Sequence, residues 1–424
     1  MPNTDIQDAP QRRPREQRLS HAASALAGSR AANHAPEATV PGGDSAADYA
    51  ARVSALEQAC RADLSALTRS SGVADPRRLR GSIERYIGMT QIPTGVMGPV
   101  VVAGTEAAGS YYVPLATTEG ALVASYNRGA KATRLAGGIT AVCTFEPVQR
   151  APTFRFDDLR SAGRFVQHVL ERRPQLDEVV ATASRYARLV DVRINLEGNH
   201  VTVVCEYTTG EAAGQNMVTV CTDAICRYLL EHTDVRPTYF FIEGNYSGDK
   251  KATAVSYVRG RGKRVTAECR LPGAIVRDVL RVEPEDLLQY WRTGIVNTAQ
   301  AGTLGMTGHA ANALTAIFLA CGQDVACVAE GYVGVTRIEE DDDGGVYAAV
   351  TLPNLLVGTV GGGTALPTQA ACLRLMDCTG PGSARKLAEI ATAVVLCGEL
   401  SISAALAAGH FTQAHERLGR RPPS

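Results

Sequence analysis

Two adjacent lysines follow an aspartate in a loop built from turn-forming residues. The loop comes directly after the apolar run 239–242 and reads Gly244-Asn245-Tyr246-Ser247-Gly248-Asp249-Lys250-Lys251. A loop that concentrates cationic donors at the end of a strand is suited to bind an anion or to stabilise an oxyanion that forms during a reaction. A solvated charged turn would have the same composition, so the loop predicts chemistry only in combination with other polar residues.

Two carboxylates lie beside predicted helix ends. Glu119 follows Thr117 and Thr118, either of which could cap the next helix, and a carboxylate in a first turn suits the helix dipole. Asp324 lies just beyond the predicted helix 310–320, where the dipole disfavours an anion by about 0.3–1 kcal/mol. A buried cation nearby would offset that cost. Each carboxylate could also be purely structural, Glu119 as a capping acid and Asp324 as an exposed loop residue.

A histidine directly follows the predicted last helix, 383–408. Ser383 could cap the start of this helix and Gly409 is a typical residue for its end, so His410 lies next to the helix C-terminus. A cation is favourable at that position, and His410 could therefore be only a capping residue. With an ordinary pKa of about 6.5, it could equally donate a proton near neutral pH.

Two glycine-rich segments precede predicted helices and indicate a nucleotide site. The segment 210–216 runs into a helix whose N-terminal N–H groups would face a phosphate, and the segment 358–364 allows close approach of the backbone. Neither contains GxGxxG, and plain turns have a similar composition. Ser184, Arg185 and Arg188 add hydroxyl and cationic donors that would fit an adenosine 2′-phosphate.

The region around those donors predicts a small α/β unit. Its order is strand 153–156, helix 158–171, strand 187–195, strand 200–208, helix 216–231 and strand 238–242, with Asp157 as the cap of the first helix and a hairpin turn at 196–199. This β-α-β-β-α-β order is that of a ferredoxin-like module. Because strands resume beyond it, residues 152–242 are predicted to be inserted into a larger domain formed by 44–151 and 243–424.

The larger domain is predicted to be rich in helices, which makes the fold class α+β. Apolar residues have helical spacing over 45–67, and small residues line 310–320 and 383–408. Pro93, Gly95, Gly98 and Pro99 predict turns before the short apolar run 100–102. Residues 1–43 are rich in Pro, Arg, Gln, Ala and Ser without a sustained apolar period, and they are predicted to form a disordered leader.

Composition limits the class of protein. Apolar residues at 45% and charged residues at 20% are typical of a soluble globular chain, and 43 basic against 43 acidic residues provide no global field for nucleic acid or an anionic membrane. Eleven cysteines without a CxxC pair predict reduced thiols, and the eight histidines show no paired spacing for a metal. No apolar stretch approaches the roughly 18–20 residues of a membrane span, and the N-terminus lacks an apolar signal core. The chain is expected to be cytoplasmic.

Together the motifs resemble those of hydroxymethylglutaryl-CoA (HMG-CoA) reductase of the class I type, over about residues 80–416. The matching segments are IERYIG at 83–88, PTGVMGP at 93–99, ATTEG at 116–120, DKK at 249–251, GHAAN at 308–312, CGQD at 321–324, GTVGGGT at 358–364, GELS at 398–401 and AGH at 408–410. So many specific motifs in the same order exclude coincidence. No counterpart of the membrane anchor of the animal enzymes is expected.

The resemblance implies two consecutive NADPH reductions of a CoA thioester to an alcohol. It implies a ferredoxin-like domain that binds the dinucleotide, and at least a homodimer whose active site takes its lysine loop from the neighbouring chain. The residues that match the family's catalytic positions are Glu119, Lys250, Asp324 and His410. Those that match its dinucleotide positions are Ser184, Arg185, Glu211, Gly214, Asn216, Gly361, Gly362 and Gly363. The residues assigned to the substrate are Glu84, Arg150, Lys251, His309 and Asn312.

The implied chemistry needs these residue types. Hydride transfer to a thioester carbonyl creates an oxyanion, which the ammonium of Lys250 would stabilise. If Glu119 and Asp324 flank this ammonium, one proton is expected to be shared, with Glu119 as the neutral acid that donates to the carbonyl oxygen. The CoA thiolate needs a proton as it leaves, and His410 is the hypothesised donor.

The match departs from the family near the expected acyl group. Glu243 stands where the family usually has serine, and the lysine expected shortly before 301–302 has no secure counterpart, with Arg292 nearby. The leading interpretation is an HMG-CoA reductase that produces mevalonate for isoprenoid biosynthesis. A reductase of a different acyl-CoA thioester is an alternative on the same scaffold. A catalytically silent protein that binds a nucleotide or CoA is an alternative of another class.

Overall fold

A helix near the N-terminus replaces part of the predicted leader. The structure is a computed structural model that describes residues 14–28, 46–68, 79, 82–83, 85, 89–342 and 344–409. Its first helix, α1, spans Pro14–Gly28 and packs on strand β3, and Arg18 lies 3.1 Å from Glu146. The prediction of disorder is therefore wrong for 14–28. The prediction missed this helix because its partly or fully buried face, among the described side chains, consists of Ala22, Ala25 and Leu26 beside Arg18.

The first sheet has six strands drawn from both sides of the predicted insertion. They are β1 Thr94–Gly104, β2 Ala108–Ala116, β3 Ile139–Phe145, β9 Lys263–Leu271, β10 Val335–Glu340 and β11 Val346–Leu355, in the order β10-β11-β9-β3-β1-β2. Only β1 and β3 pair in parallel. The turns predicted at 93–99 are instead part of β1, where a bulge between Met97 and Val100 accommodates the proline that cannot donate to the ladder.

The second sheet confirms the ferredoxin-like order. Its strands are β4 Val148–Arg150, β5 Thr153–Arg155, β6 Arg188–Glu197, β7 His200–Thr208 and β8 Tyr239–Phe241. The strands pair antiparallel in the order β6-β7-β5-β8, and β4 continues the line of β5 along β7. Two helices, α5 Leu159–Ala183 and α6 Gln215–His232, pack against each other beside this sheet.

The details of the second unit differ from the prediction at its first helix. The helix α5 continues to Ala183 rather than ending at 171, because buried Val169, Leu176 and Val180 extend the apolar face past Pro174. Its N-cap is Asp158, whose side chain accepts a hydrogen bond from the Ser161 N–H at 2.7 Å. The predicted cap at Asp157 is wrong. The turn between β6 and β7 is confirmed, with Glu197 paired to His200.

Most of the remaining chain is helical. The other helices are α2 Ala46–Cys60, α3 Ser65–Thr68, α4 Leu122–Leu135, α7 Val255–Val258, α8 Gly273–Ile275 with a π-helical turn at Val276–Leu280, α9 Pro284–Gln300, α10 Ala310–Cys321, α11 Val328–Gly331, α12 Pro367–Leu375 and α13 Ser383–Ala407. Short 3₁₀ turns occupy Val325–Cys327 and Gly362–Ala365. The predicted helices 310–320 and 383–408 are confirmed, and the helical spacing over 45–67 corresponds to α2 and α3.

The helix α13 lies at the centre of the protein. It packs against α4, α9, α10 and the first sheet, and small residues bring it close to α4. A Cβ atom at Gly129 would lie 2.0 Å from the Cys397 carbonyl oxygen, so only glycine fits there. By length and composition α13 is apolar enough to cross a membrane, which the sequence prediction missed, but 83% of its apolar window is buried inside the protein. Core packing accounts for its composition.

Candidate active site

The structure brings Lys250 and Asp324 together. The Lys250 Nζ atom lies 2.8 Å from Asp324 Oδ2, so the carboxylate beyond α10 has the cation that the helix-dipole argument required. Asp324 also caps the following 3₁₀ turn, because its Oδ1 atom accepts a hydrogen bond from the Ala326 N–H. The Gln215 side chain donates a further hydrogen bond to Asp324 Oδ2 at 3.0 Å.

This ion pair is charged near neutral pH and contributes little to stability. The hydrogen bond to Asp324 raises the pKa of Lys250 above its ordinary value. Burial acts to raise the pKa of Asp324, but the hydrogen bonds from Lys250 and Gln215 outweigh it and lower that pKa. Because the two side chains are 43% and 38% exposed, the pair adds only about 0–1 kcal/mol to stability. Its geometry is better explained by function.

Two arginines hold the aspartate that precedes Lys250. Asp249 lies 3.0 Å from Arg150 Nη1 and 3.1 Å from Arg261 Nη1. The same Arg150 nitrogen lies 3.4 Å from Glu243 Oε2. Arg150, predicted to bind substrate, therefore already has two carboxylate partners. The Lys251 ammonium is exposed and donates to the Asp249 carbonyl oxygen at 2.9 Å.

Glu119 lies in a separate pocket with Asn312. Asn312 Nδ2 donates to Glu119 Oε2 at 3.1 Å, and the pocket around these two residues has a volume of about 280 Å³. The helix α4 begins only at Leu122, with Ala121 as its N-cap at φ 69°. The predicted helix caps at Thr117 and Thr118 are therefore wrong. Thr117 Oγ1 instead accepts a hydrogen bond from the N–H of Glu119 itself.

A buried glutamate that the sequence reasoning did not single out holds the chain just before α10, the helix that carries Asn312. Glu399 is 2% exposed, and its two carboxylate oxygens accept hydrogen bonds from the N–H groups of Gly308 and His309 at 2.6 and 2.7 Å. It thereby satisfies main-chain donors just before α10, whose N-cap His309 makes no side-chain cap. The motif GELS contained this residue, but its acidic side chain in an apolar helix was the only signal.

The three predicted catalytic residues that the structure describes form two groups at opposite ends of α10. Asn312, with Glu119, lies in the first turn of this helix, and Asp324, with Lys250, lies three residues beyond its last residue. A 12-residue helix is about 18 Å long. Among the described residues of one chain, no ion pair within 4.0 Å joins Lys250 to Glu119. Lys250 and Asp324 therefore pair within one chain, while Glu119 of that chain lies apart from them.

The three predicted dinucleotide segments converge next to Lys250 and Asp324. Ala212 forms a β-bridge with Val360, which joins the two glycine-rich segments. Arg188 pairs with Thr208 in the second sheet, so the segment 184–188 lies beside the first of them. The Ser184 hydroxyl caps its own turn by accepting from the N–H groups of Tyr186 and Ala187. The donor Gln215, at the start of α6, links these segments to Asp324.

Glu211, which was predicted to bind the dinucleotide, makes hydrogen bonds that stabilise the fold. The carboxylate of Glu211 accepts hydrogen bonds from the N–H groups of Gly382 and Ala384, both at 2.7 Å, and from the Ser383 hydroxyl at 3.2 Å. It therefore caps α13, whose N-cap residue is Gly382 at φ 81°. The predicted cap at Ser383 is wrong, and Glu211 fastens the first glycine-rich segment to the last helix.

The remaining dinucleotide residues leave room for a bulky anion. Gly214 is the N-cap of the 18-residue helix α6 and makes no side-chain cap, so the first N–H groups of that helix are available. Gly361 and Gly362 adopt φ 84° and 56°, and an added Cβ atom would meet nothing within 4 Å at either position. Asn216 and the Arg185 guanidinium are exposed at the same end of the unit. A phosphate-bearing dinucleotide fits this set of donors and open backbone.

Two predicted site residues, Glu84 and His410, lie outside the described residues.

Gly363 packs tightly against Gly322. A Cβ atom added to Gly322 would lie 2.3 Å from the Gly363 carbonyl oxygen. Gly363 therefore keeps the second glycine-rich segment close to the chain before Asp324. Within the described ranges, no group of three or more His, Cys, Asp or Glu side chains is arranged to hold a metal ion.

Comparison with known proteins decides the family. The family model for hydroxymethylglutaryl-coenzyme A reductase matches residues 48–420. The chain belongs to the hydroxymethylglutaryl-coenzyme A reductase family. A 3-hydroxy-3-methylglutaryl-coenzyme A reductase of Pyrococcus abyssi is 43% identical over 356 residues, which cover 82% of this chain and 86% of that relative. A reductase of the same name from Aeropyrum pernix is 43% identical and covers 86% of this chain and 88% of the relative.

Solved structures share the fold. The class II 3-hydroxy-3-methylglutaryl-CoA reductase of Streptococcus pneumoniae, bound to NADPH in open conformations, aligns with a TM-score of 0.67. The sequence identity is 21%, and the alignment covers 84% of this chain and 97% of that one. The predicted α+β fold is thereby confirmed, and so is the family suggested by the motifs.

Proposed function

We propose that this protein catalyses the NADPH-dependent reduction of HMG-CoA to mevalonate and CoA, as a class I reductase in the cytoplasm. The observation that carries the proposal is the Lys250–Asp324 pair at 2.8 Å, connected through Gln215 to the start of α6. That arrangement places an ammonium group beside a segment suited to a dinucleotide, where an oxyanion would form. Residues 152–242 would form the dinucleotide domain, and 44–151 with 243–424 the catalytic domain.

The dinucleotide would be held by residues of three segments. These are Ser184 and Arg185, the segment Gly214–Asn216 at the start of α6, and the glycines at 361–363. NADPH, when bound, supplies the hydride. The exposed Arg185 guanidinium would pair with the 2′-phosphate, and the uncapped N–H groups of α6 would bind the diphosphate.

The catalytic side chains supply charge and protons. The Lys250 ammonium is preorganised by Asp324 and would stabilise the oxyanion of the reduced carbonyl. Glu119, held by Asn312, would donate a proton to that oxygen. His410 would protonate the departing thiolate, and His309 and Lys251 would bind the CoA thioester.

A complete site requires a second copy of the chain. Glu119 and the Lys250–Asp324 pair lie at opposite ends of α10, about 18 Å apart by the length of the helix. A hydride acceptor carbonyl cannot contact both groups in one chain. A homodimer that places Glu119 and Asn312 of one chain against Lys250 and Asp324 of the other would bring all four side chains to one substrate.

The proposal is tested by steady-state oxidation of NADPH with HMG-CoA as acceptor. The expected result is oxidation of two NADPH per mevalonate formed, following the stoichiometry of the two reductions. Full turnover with the free aldehyde intermediate, mevaldehyde, would support the second step. If the purified protein binds NADPH but oxidises none with any acyl-CoA, it is a silent binding protein and the proposed function is wrong.

One observation favours a different acyl group as the second candidate. Arg150 is only 7% exposed, and its guanidinium is already paired with Glu243 and Asp249. It therefore does not present a free charge to an acyl carboxylate. A thioester whose acyl group lacks the carboxylate would avoid repulsion by Glu243. Comparison of kcat/KM for HMG-CoA with that for uncharged short-chain acyl-CoAs distinguishes the two candidates.

Arg185→Ala is expected to raise the KM for NADPH about tenfold or more, because a charge-assisted hydrogen bond to the 2′-phosphate would be lost. The KM for NADH, which lacks that phosphate, should change little. Initial rates at varied NADPH and NADH measure both constants. Arg164→Ala, which removes an exposed arginine near the other end of α5, is the matched control. An unchanged KM for NADPH in Arg185→Ala would contradict the assignment.

A further inference from the structure

Lys250 is held at two points by one short stretch of chain. Its Nζ atom lies 2.8 Å from Asp324, and its main-chain N–H donates to Glu330 Oε1 at 3.4 Å. The stretch between these two carboxylates consists of a 3₁₀ turn, Val325–Cys327, followed directly by α11, Val328–Gly331. Because this stretch is short and hydrogen-bonded, the two carboxylates that accept from Lys250 come from one compact segment.

Glu330 is itself fixed by a buried arginine. Arg261 Nη1 lies 2.7 Å from Glu330 Oε1 and 3.1 Å from Asp249, and the side chains of Arg261 and Glu330 are 2% and 1% exposed. Asn354, near the end of β11, accepts from the Arg261 N–H at 2.7 Å and donates to the Glu330 carbonyl oxygen at 3.4 Å. The Arg261–Glu330 pair is therefore attached to the first sheet through Asn354 and contacts both Asp249 and Lys250.

The loop that these residues hold is strained. Asn245 and Lys250 adopt the left-handed region, with φ 63° and 54°. Residues other than glycine rarely adopt this conformation, and it persists only where the surroundings impose it. At the lysine end of the loop, Arg261 and Glu330 contact 249–250 and support this conformation together with Arg150.

Stability alone explains the buried pair poorly. Taking two charges out of water is costly, and apolar residues of similar volume often stabilise a core as well or better. Several polar atoms of the network, among them Arg261 Nε and Glu330 Oε2, have no hydrogen-bond partner. Such an arrangement is retained more readily where it fixes a geometry than where it only fills the core.

We propose that Glu330, held by Arg261, is a positioning residue that fixes the strained Lys250 loop and thereby aligns the Lys250 ammonium with Asp324. The proposal rests on the proposed reductase function. The Glu330 carboxylate contacts the main chain of Lys250 and the Arg261 guanidinium, so its effect should reach the reaction mainly through the lysine loop. Misalignment of the ammonium would lower the rate of hydride transfer without weakening the binding of NADPH.

The test is the variant Glu330→Gln, which keeps the shape and an acceptor oxygen but removes the charge that holds Arg261. We expect kcat to fall about tenfold to a hundredfold, with the KM values for NADPH and the thioester unchanged within about twofold. A double-mutant cycle with Lys250→Ala adds a readout that a structural defect would not give. Adding Glu330→Gln to Lys250→Ala should cause almost no further loss, because the residue acts through a side chain that is already absent.

Glu389→Gln is the matched control. Glu389 is another fully buried carboxylate, and like Glu330 its pKa is raised by burial, but its hydrogen-bond donors are the Thr105 hydroxyl and the main-chain N–H groups of Glu106, Ala107 and Cys143. Its substitution should lower the melting temperature while leaving kcat per NADPH-binding site close to that of the wild type. If Glu330→Gln does not fold, Arg261→Lys is examined by the same measurements.

The outcomes separate this proposal from the function on which it rests. If the wild type reduces no thioester, the proposed function is wrong and this inference is wrong with it. If the wild type is active and Glu330→Gln retains its kcat, only the positioning role is overturned. The same conclusion follows if the losses from Glu330→Gln and Lys250→Ala simply multiply in the double variant.

Discussion

Lys250→Ala is expected to lower kcat by about 10²–10³-fold, the loss seen when a preorganised donor to an oxyanion is removed. The Lys250 side chain provides the cation closest to Asp324, and hydrogen bonding to that carboxylate keeps it protonated by raising its pKa. The KM for NADPH should change little, because the dinucleotide segments lie on other elements. Steady-state rates at saturating NADPH and thioester measure the effect.

Lys251→Ala is the matched control for that experiment. The two lysines are adjacent, but the Lys251 ammonium is exposed and donates only to the Asp249 carbonyl oxygen within its own loop. Its removal should raise the KM for the thioester and leave kcat within about tenfold of the wild type. Retention of more than about a tenth of wild-type kcat by Lys250→Ala would contradict the oxyanion role.

Glu119→Gln is expected to lower kcat by about 10²-fold or more, because the amide keeps the size of the carboxyl group but has no proton to transfer. The Gln side chain can still accept a hydrogen bond from Asn312, so the pocket should remain intact. We expect the KM values to stay near those of the wild type. The acidic residue Glu197, at the tip of an exposed hairpin, provides the control variant Glu197→Gln.

The pH dependence of the Glu119 variant provides a second readout. If Glu119 supplies the proton, the pH profile of kcat should differ between the wild type and the Glu119→Gln variant, because the variant has no carboxyl proton to transfer. A variant with a normal rate, or with the same pH profile as the wild type, would show that another group supplies the proton.

The sequence was sufficient for the parts of the fold and site that depend on local pattern. The order of strands and helices and the turn at 196–199 predicted a ferredoxin-like unit, which the observed strand order β6-β7-β5-β8 confirms. A helix-dipole argument also required a cation near Asp324, and Lys250 supplies it. In both cases the prediction rests on features within a few residues of the position concerned, so a single sequence contains the information.

The contacts of Glu211 and of α1 join residues that are far apart in the chain, whereas the error at Thr117 and Thr118 is local. The sequence did not reveal that the Glu211 carboxylate caps α13, which begins 172 residues later at Ser383. Thr117 and Thr118 looked like helix caps, yet α4 begins at Leu122 after a left-handed Ala121. The helix α1 is held by an ion pair between Arg18 and Glu146, 128 residues apart. Single-sequence patterns contain no record of such partners.

A shared active site would combine Glu119 of one chain with Lys250 and Asp324 of another. The most direct measurement mixes purified Glu119→Ala with purified Lys250→Ala after subunit exchange and compares the rate with those of the separate variants. Each variant alone should be nearly inactive, and an equal mixture should recover about a quarter of wild-type activity, since half the dimers would contain one intact site. No recovery, with exchange verified by differently tagged chains, would contradict the shared site.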